Sequence, residues 1–406
     1  MKSTSIQTWK WLRSPDAADL LAAAEGISSG ELQAIARLRK RWNAEQVGTA
    51  IELLGARQRA QAKFPSHPPD VCDRSGIEQA TPEMIAEYKA SRIHETVGST
   101  GHVADLACGI GGDAMSLARR MKVTGIDTDP VRCWMTGVNA GCEVANVDAT
   151  SFDARVDVFH LDPGRRDERT GRRFRSPDTW NPPLHSIGSI GAGHEGGVVK
   201  LGPGIALDDV PMLEEAELEF VSIGAQLSQA HLWMGSLTSH PGQRRATLLP
   251  HGLTECGTPS FPELHPEGTF DGLLCIPNPA LERSGLHGPV GSRFELLEPV
   301  AGLGILTGDT RPDSPWFTSF EVDAIMPWRE QKVRSWLRAN DTSHVEIKTR
   351  DQTVDPDALQ KLLSGEGSIP RTVFVLRMGR PVVAIMTRRV DTASASIEPN
   401  HDEDDR

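Results

Sequence analysis

The chain has 406 residues, 38% hydrophobic and 24% charged, with a formal net charge of −12. That is ordinary soluble composition at a length too great for one compact core, so division into several domains is expected. The acidic balance excludes a generally basic nucleic-acid binder, because phosphate contacts need Lys and Arg, and no run approaches the ~20 apolar residues of a membrane span.

The N-terminal MKSTSIQTWKWLRS lacks the apolar stretch of a secretory signal. The six cysteines contain no CxxC pair, so no metal site is expected, and free thiols point to the cytoplasm. Residues 1–95 read as a helical region. DAADLLAAAEG begins at an Asp cap and ends at Gly26, Ser28 and Ser29 cap ELQAIARLRKRW, and a third helix runs through AIELLGARQRAQAKF. A loop is expected over 65–80. TPEMIAEYKASRIHE then opens a helix with Thr81 as N-cap and Pro82 at the first helical position.

From residue 102 strands and helices alternate. HVADL, KVTGID, CEVANVD, VDVFHLD and GGVVKLG are strands; GGDAMSLARRM and PVRCWMTGVNAG are helices, as is DDVPMLEEA. LEFVSIG, AHLWMGS and RRATLLP close the region as strands. This order predicts an α/β domain over 96–250, with a mostly parallel sheet covered on both faces and an antiparallel edge. Residues 251–314 are a connecting segment rich in Gly, Pro and Ser. A small α/β unit follows over 315–390: strand SFEVDAI, helix WREQKVRSWLRAN, strand HVEIKTR, helix DPDALQKLLSG and a hairpin around Gly379. Residues 391–406 are an acidic tail, expected to be disordered.

The most informative segment is VADLACGIGGDAMSLA, a buried strand followed by a turn of small residues that opens a helix. Such a turn lets a ligand approach the backbone and aims amides at it, at the carboxyl end of the sheet where ligands of parallel α/β folds lie. Asp127 ends the next strand, placed to accept both hydroxyls of a ribose. Asp148 follows the third strand, where it can accept from an adenine amine. A pyrophosphate fingerprint requires GxGxxG; here the turn is Cys108-Gly109-Ile110-Gly111-Gly112 behind Asp105, whose carboxylate repels pyrophosphate and suits a cationic ligand.

The turn resembles motif I of class I methyltransferases (D-x-G-x-G-x-G), with Ala107 in place of the first Gly. The resemblance implies a Rossmann-like, seven-stranded methyltransferase sheet that binds S-adenosyl-L-methionine through Asp105, Ala107, Cys108, Gly109, Gly111, Asp127 and Asp148. Asp162-Pro163-Gly164, after the fourth strand, resembles motif IV of amine and RNA methyltransferases ((D/N)PP-x), which makes Asp162 and Pro163 the expected catalytic residues. The second Pro and the aromatic of that motif are missing, which puts base-amine chemistry in doubt. Arg165 and Arg166 stand there instead and suit an anionic substrate; they open a stretch, 165–175, with six Arg and two acids. DRSGIEQATPEMIAEYKASRI resembles a stretch of trimethylguanosine synthase that helps cover the cofactor, so Thr81 and Glu83 are further candidates. The C-terminal unit is similar to the THUMP-like domain that follows bacterial methyltransferase domains. THUMP domains proper bind RNA, which implicates Lys332, Arg334, Arg338, Lys348 and Arg350 as phosphate contacts. The expected activity is methyl transfer to RNA. A small-molecule or protein methyltransferase, or a non-catalytic RNA-binding protein with a vestigial cofactor fold, stands as the alternative.

Overall fold

A computed structural model describes residues 5–165, 176–350 and 353–390. They fall into two compact units, one holding residues 1–243 and 249–253, the other 244–248 and everything beyond 254.

The first unit opens with helices α1 (Ile6–Leu12), α2 (Ala18–Ala24), α3 (Leu32–Leu38) and α4 (Ala44–Lys63). Helix α1, which starts at a Ser5 cap, is absent from the sequence reading. The long α4 starts at a reciprocal capping box, Asn43 Oδ1 accepting from Gln46 N while Gln46 Oε1 accepts from Asn43 N. The expected loop over 65–80 contains a short helix, α5 (Arg74–Gln79), whose cap is Asp73 accepting from Gly76 N at 2.6 Å. Helix α6 spans Glu83–Val97. Thr81 is not its N-cap: Pro82 occupies that position without a side-chain cap, and the Thr81 hydroxyl turns inward to a different partner.

Strands β1 (His102–Leu106), β2 (Lys122–Ile126), β3 (Glu143–Ala145), β4 (Val158–Leu161), β5 (Gly196–Leu201), β6 (Glu217–Ile223) and β7 (Gln226–Gly235) lie in the order β3-β2-β1-β4-β5-β7-β6. The first five run parallel, and β7 pairs antiparallel with both β5 and β6. Helices α7 (Gly112–Ala118) and α8 (Pro130–Ala140) connect β1 to β2 and β2 to β3, and a short α9 (Ile187–Gly191) precedes β5. Within the first unit these seven strands form the Rossmann-like α/β arrangement expected from the alternating pattern. DDVPMLEEA is not the helix its composition suggests. A single 3-10 turn (Leu207–Asp209) precedes Pro211, which lacks the N–H a helix needs, and Met212 has φ of 54°.

Two cores cover the sheet's helical flank. Ala90, Ile93, Ala114 and Leu117 pack on Val103, Val123, Val158 and Val198. The N-terminal helices bury Trp9, Leu12, Leu20, Leu53 and Phe64 in one cluster with Ile110, Met115 and Met135.

In the second unit β8 (Arg244–Leu249) neighbours β9 (Leu253–Gly257). A six-stranded sheet follows, built from β10 (Leu273–Pro277), β11 (Leu306–Gly308), β12 (Phe317–Pro327), β13 (Thr342–Lys348), β14 (Ile369–Arg377) and β15 (Val382–Arg389). Its order is β11-β10-β12-β15-β14-β13. The segment unassigned in sequence therefore supplies two of its strands, together with α10 (Pro279–Ser284) and α11 (His287–Ser292). Period-two alternation separates the faces. Val373, Val375, Ala384 and Met386 meet α12 (Glu330–Ala339) and α13 (Pro356–Leu363) through Val333, Leu337, Leu359 and Leu363, while Phe374, Leu376 and Ile385 pack on the other face with Phe320.

Candidate cofactor and reaction site

The turn after β1 needs left-handed backbone at Ala107 (φ 58°), Gly109 (φ 58°) and Gly111 (φ 85°). Alanine at the first of these carries strain that glycine would not, on the order of 1 kcal/mol. At Gly111 a Cβ would lie 3.1 Å from Thr136 Cα, so a side chain there would crowd α8 as well as strain the left-handed backbone. Helix α8 supports the turn from below: Thr136 Oγ1 donates to Gly109 O at 3.0 Å and Asn139 Nδ2 to Ile110 O at 2.8 Å. Above Gly109 the space is open: apart from its chain neighbours, no atom of the described residues lies within 4 Å of where its Cβ would stand. Burial pushes the Cys108 thiol well above its ordinary value, with Asp105 and Asp127 adding to the shift, so it stays a neutral thiol lining the turn.

Asp127 follows β2 and is half-buried. Its two oxygens accept from Gly109 N and Asp129 N, each at 3.0 Å, which locks the carboxylate to the turn. Burial raises its pKa, and those two backbone donors oppose the rise. Asp148 is exposed and caps its own turn, accepting from Thr150 N at 2.8 Å and Thr150 Oγ1 at 2.5 Å.

Asp105 leads into a buried polar cluster. The β1–β4 register sets it opposite His160, whose Nδ1 lies 2.7 Å from Asp105 Oδ1. Lys89, on α6, reaches His160 Nε2 at 2.7 Å and Asp113 Oδ1 at 2.6 Å. Thr81 Oγ1 closes the chain by donating to Asp113 Oδ2 at 2.7 Å. Burial pushes Asp105's pKa up, only partly offset by His160. Against the same effect of burial, the Lys89 ammonium beside Asp113 holds that carboxyl well below the usual range.

Asp162 leaves β4 with its N–H on Leu106 O (3.3 Å) and its Oδ2 2.5 Å from Lys200 Nζ, a buried ammonium on β5. Lys63, at the end of α4, donates to Ile77 O and Glu78 O. Burial and the nearby Lys200 charge push it down to about 8. Pro163 is buried, and Gly164 pairs with Asn181 through N–H···O bonds in both directions. That pairing brings Trp180 alongside, its ring 5.9 Å from the Arg165 guanidinium. Arg166 and the arginines up to 175 lie outside the described residues.

The segment from 64 to 83 covers the turn, and each distinctive residue in it has a physical role. Asp73 caps α5 and pairs with Arg132 at 2.9 Å. Gly76 passes so close to the turn that a Cβ would fall 2.3 Å from Ile110 Cγ2. Glu83, buried, accepts from Ser66 N at 2.9 Å and meets His67 Nδ1 at 2.7 Å, tying down the chain ahead of it.

His160, Lys89, Asp113, Lys200 and Lys63 are absent from the sequence reading. One signal was present: Lys89 interrupts the apolar stripe Ile85, Ala86, Ala90, Ile93 of α6, and His160 interrupts the apolar run of β4. Of the proposed phosphate contacts in the second unit, Lys332 and Arg338 are exposed on α12. Lys348 instead pairs with Glu346 at 2.6 Å, and Arg350 pairs with Glu282 at 3.0 Å and donates to Gly304 O.

Seven strands in this order, with a left-handed glycine turn after β1 and a carboxylate after β2, define the class I methyltransferase architecture. Comparison with known proteins agrees. The chain is 30% identical over 332 residues to an uncharacterized S-adenosylmethionine-dependent methyltransferase found in two strains of Mycobacterium tuberculosis, covering 77% of this chain and 86% of the relative. A solved structure of a candidate methyltransferase from Porphyromonas gingivalis W83 superposes with a TM-score of 0.70 at 17% identity, covering 92% of this chain and 98% of that one. The THUMP domain-like family matches residues 317–389, and a domain of unknown function (DUF8688) matches residues 5–60. The chain belongs to the S-adenosylmethionine-dependent methyltransferases, with a THUMP-like domain at its C-terminus.

The residues present fit S-adenosylmethionine on two observations of this structure: the open space over Gly109 beside Asp127, and a buried oxygen, Asp105 Oδ2, that has no hydrogen-bond partner among the described residues.

Proposed function

We propose that this methyltransferase acts on RNA, with the acceptor atom held at the Asp162-Pro163 turn. S-adenosylmethionine supplies an electrophilic methyl group when bound. Asp105, Ala107, Cys108, Gly109 and Gly111 would line its amino-acid half, Asp127 would take the ribose hydroxyls, and Asp148 would reach the adenine amine on turning from its own cap. Asp162 would accept a hydrogen bond from the acceptor through Oδ1 while Lys200 holds Oδ2, which orients the nucleophile's lone pair rather than supplying a strong base. Pro163 stiffens the turn, and Arg165 with Arg166 would grip an anionic substrate.

The observation that carries the choice of RNA is the THUMP domain-like match over residues 317–389, where Lys332 and Arg338 stand exposed on α12. The net charge of −12, and the ion pairs that engage Lys348 and Arg350, favour a second reading in which the acceptor is a small molecule or a protein. Labelled methyl transfer to the RNA, protein and metabolite fractions of cells lacking the enzyme decides between them. On the RNA reading, label enters RNA, and replacing Lys332 and Arg338 by Glu weakens RNA binding and reduces its logarithmic salt slope by about one unit per lost contact. Label confined to the other fractions would exclude RNA.

A further inference from the structure

The buried cluster beside β1 is one positive charge short. Asp105, His160, Lys89 and Asp113 are 1%, 1%, 1% and 7% exposed. The ammonium of Lys89 donates to His160 Nε2, which requires a lone pair on that nitrogen, so the imidazole is neutral and carries its proton on Nδ1, facing Asp105 Oδ1. The tautomer is thus assigned by the partners on either side. Two carboxylates then face one ammonium. Among the described residues, Asp113 has Lys89 and Thr81, whereas Asp105 is hydrogen-bonded by His160 at Oδ1 and its buried Oδ2 has no hydrogen-bond partner. A buried carboxylate oxygen with no donor is costly unless something arrives to fill it. The unfilled group belongs to the strand that leads directly into the left-handed turn.

We propose that His160 and Lys89 are positioning residues for the amino-acid half of S-adenosylmethionine: Lys89 fixes the His160 tautomer, and His160 holds Asp105 by one oxygen so that the other accepts from the ligand's α-ammonium group. The inference rests on the reading that Asp105 borders the cofactor, and it adds the residues that set affinity there. The ammonium is chosen over the sulfonium because a carboxylate oxygen pairs with a hydrogen-bond donor, and a sulfonium has none. Burial raises the pKa of Asp105, and His160 and Lys89 oppose the rise only in part. Acid pH, by protonating Asp105, should therefore weaken the ammonium contact. The groups that face Asp105 in this response are His160 from β4, Lys89 from α6, Asp113 from α7, the Cys108 thiol of the turn and the Cys142 thiol ahead of β3.

The test compares two ligands by titration calorimetry: S-adenosylhomocysteine, which carries the α-ammonium, and 5′-methylthioadenosine, which lacks the amino-acid group. His160→Gln removes the donor at the Nδ1 position, and His160→Asn keeps an amide N–H near it. The expected result is a loss of about tenfold in S-adenosylhomocysteine affinity for His160→Gln, with 5′-methylthioadenosine unchanged and His160→Asn close to wild type. If His160→Gln fails to fold, the wild-type protein still decides: S-adenosylhomocysteine affinity relative to 5′-methylthioadenosine should fall as the pH is lowered. The ribose contact common to both ligands cancels in that ratio. Equal weakening of both ligands in His160→Gln, or a ratio that does not move with pH, overturns the proposal while leaving cofactor binding intact. Failure of the wild type to bind either ligand overturns the cofactor assignment as well.

Discussion

Removing the Asp127 carboxylate is the most direct perturbation of the proposed cofactor site. Both of its oxygens already accept a backbone N–H, from Gly109 and Asp129 at 3.0 Å. Each keeps a second lone pair, enough for one ribose hydroxyl apiece. Charge-assisted hydrogen bonds contribute about 1.5–3 kcal/mol each, so two set a ceiling of about 3–6 kcal/mol. Asp127 is only half-buried and water can replace part of that, which brings the expected loss in Asp127→Ala to about 1.5–3 kcal/mol, or tenfold to a hundredfold in affinity. Asp127→Asn retains one acceptor oxygen and should lose about half as much free energy. Calorimetry with S-adenosylhomocysteine measures this, alongside thermal melting to show that the fold persists. Unchanged affinity in a folded Asp127→Ala protein would remove the residue from the site. The pH dependence adds a check of sign. Burial raises the Asp127 pKa from its usual 3.8, and the ionised form is the better acceptor, so affinity should start to fall at a less acidic pH than a surface carboxylate would give. Stability of the ligand-free protein runs the other way. A carboxyl whose folded pKa is raised contributes stability that is full below the unfolded value and is lost as pH rises through the folded one.

Three further outcomes are expected. Ala107→Gly should relieve left-handed strain and raise the melting temperature by an amount worth up to about 1 kcal/mol, whereas the β-branched Ala107→Val should cost more than that; melting curves in which Val is tolerated as well as Gly would contradict the φ of 58°. Asp162→Asn should lower methyl transfer while leaving S-adenosylhomocysteine affinity intact, and should cost about 1–3 kcal/mol by leaving buried Lys200 without its carboxylate; if affinity for that ligand falls while transfer does not, the role given to Asp162 is wrong. Glu83→Ala frees Ser66 N and His67 and should cost about 1–3 kcal/mol, with hydrogen exchange rising first over residues 64–70; exchange that rises evenly across the first unit would show that Glu83 holds no particular segment.

Strands β1, β2 and β4 were legible because each is a short apolar run bounded by a turn, and the glycine turn was legible because small residues at that spacing have one main use. The buried cluster was not. His160 meets Asp105 only through the β1–β4 register, a pairing across 55 residues that no local pattern encodes. Thr81 misled because a threonine before Pro and Glu reads as a helix cap, whereas its hydroxyl is used 32 residues away by Asp113. Helix α5 escaped because it is six residues long and contains Gly76, kept for clearance from Ile110 rather than for helix propensity. DDVPMLEEA failed in the opposite sense, since a favourable composition was overruled by one proline.

The shared packing of Trp9, Leu12, Leu53 and Phe64 with Ile110, Met115 and Met135 has an evolutionary consequence. Ile110 is a residue of the left-handed glycine turn itself, and Met115 and Met135 belong to the two helices that flank it. The amino-terminal helices therefore cannot be exchanged as a cassette between methyltransferases without refitting that turn. Drift in residues 5–60 is constrained by the shape of a turn distant in sequence, so lineages that remodel one should show compensating change in the other.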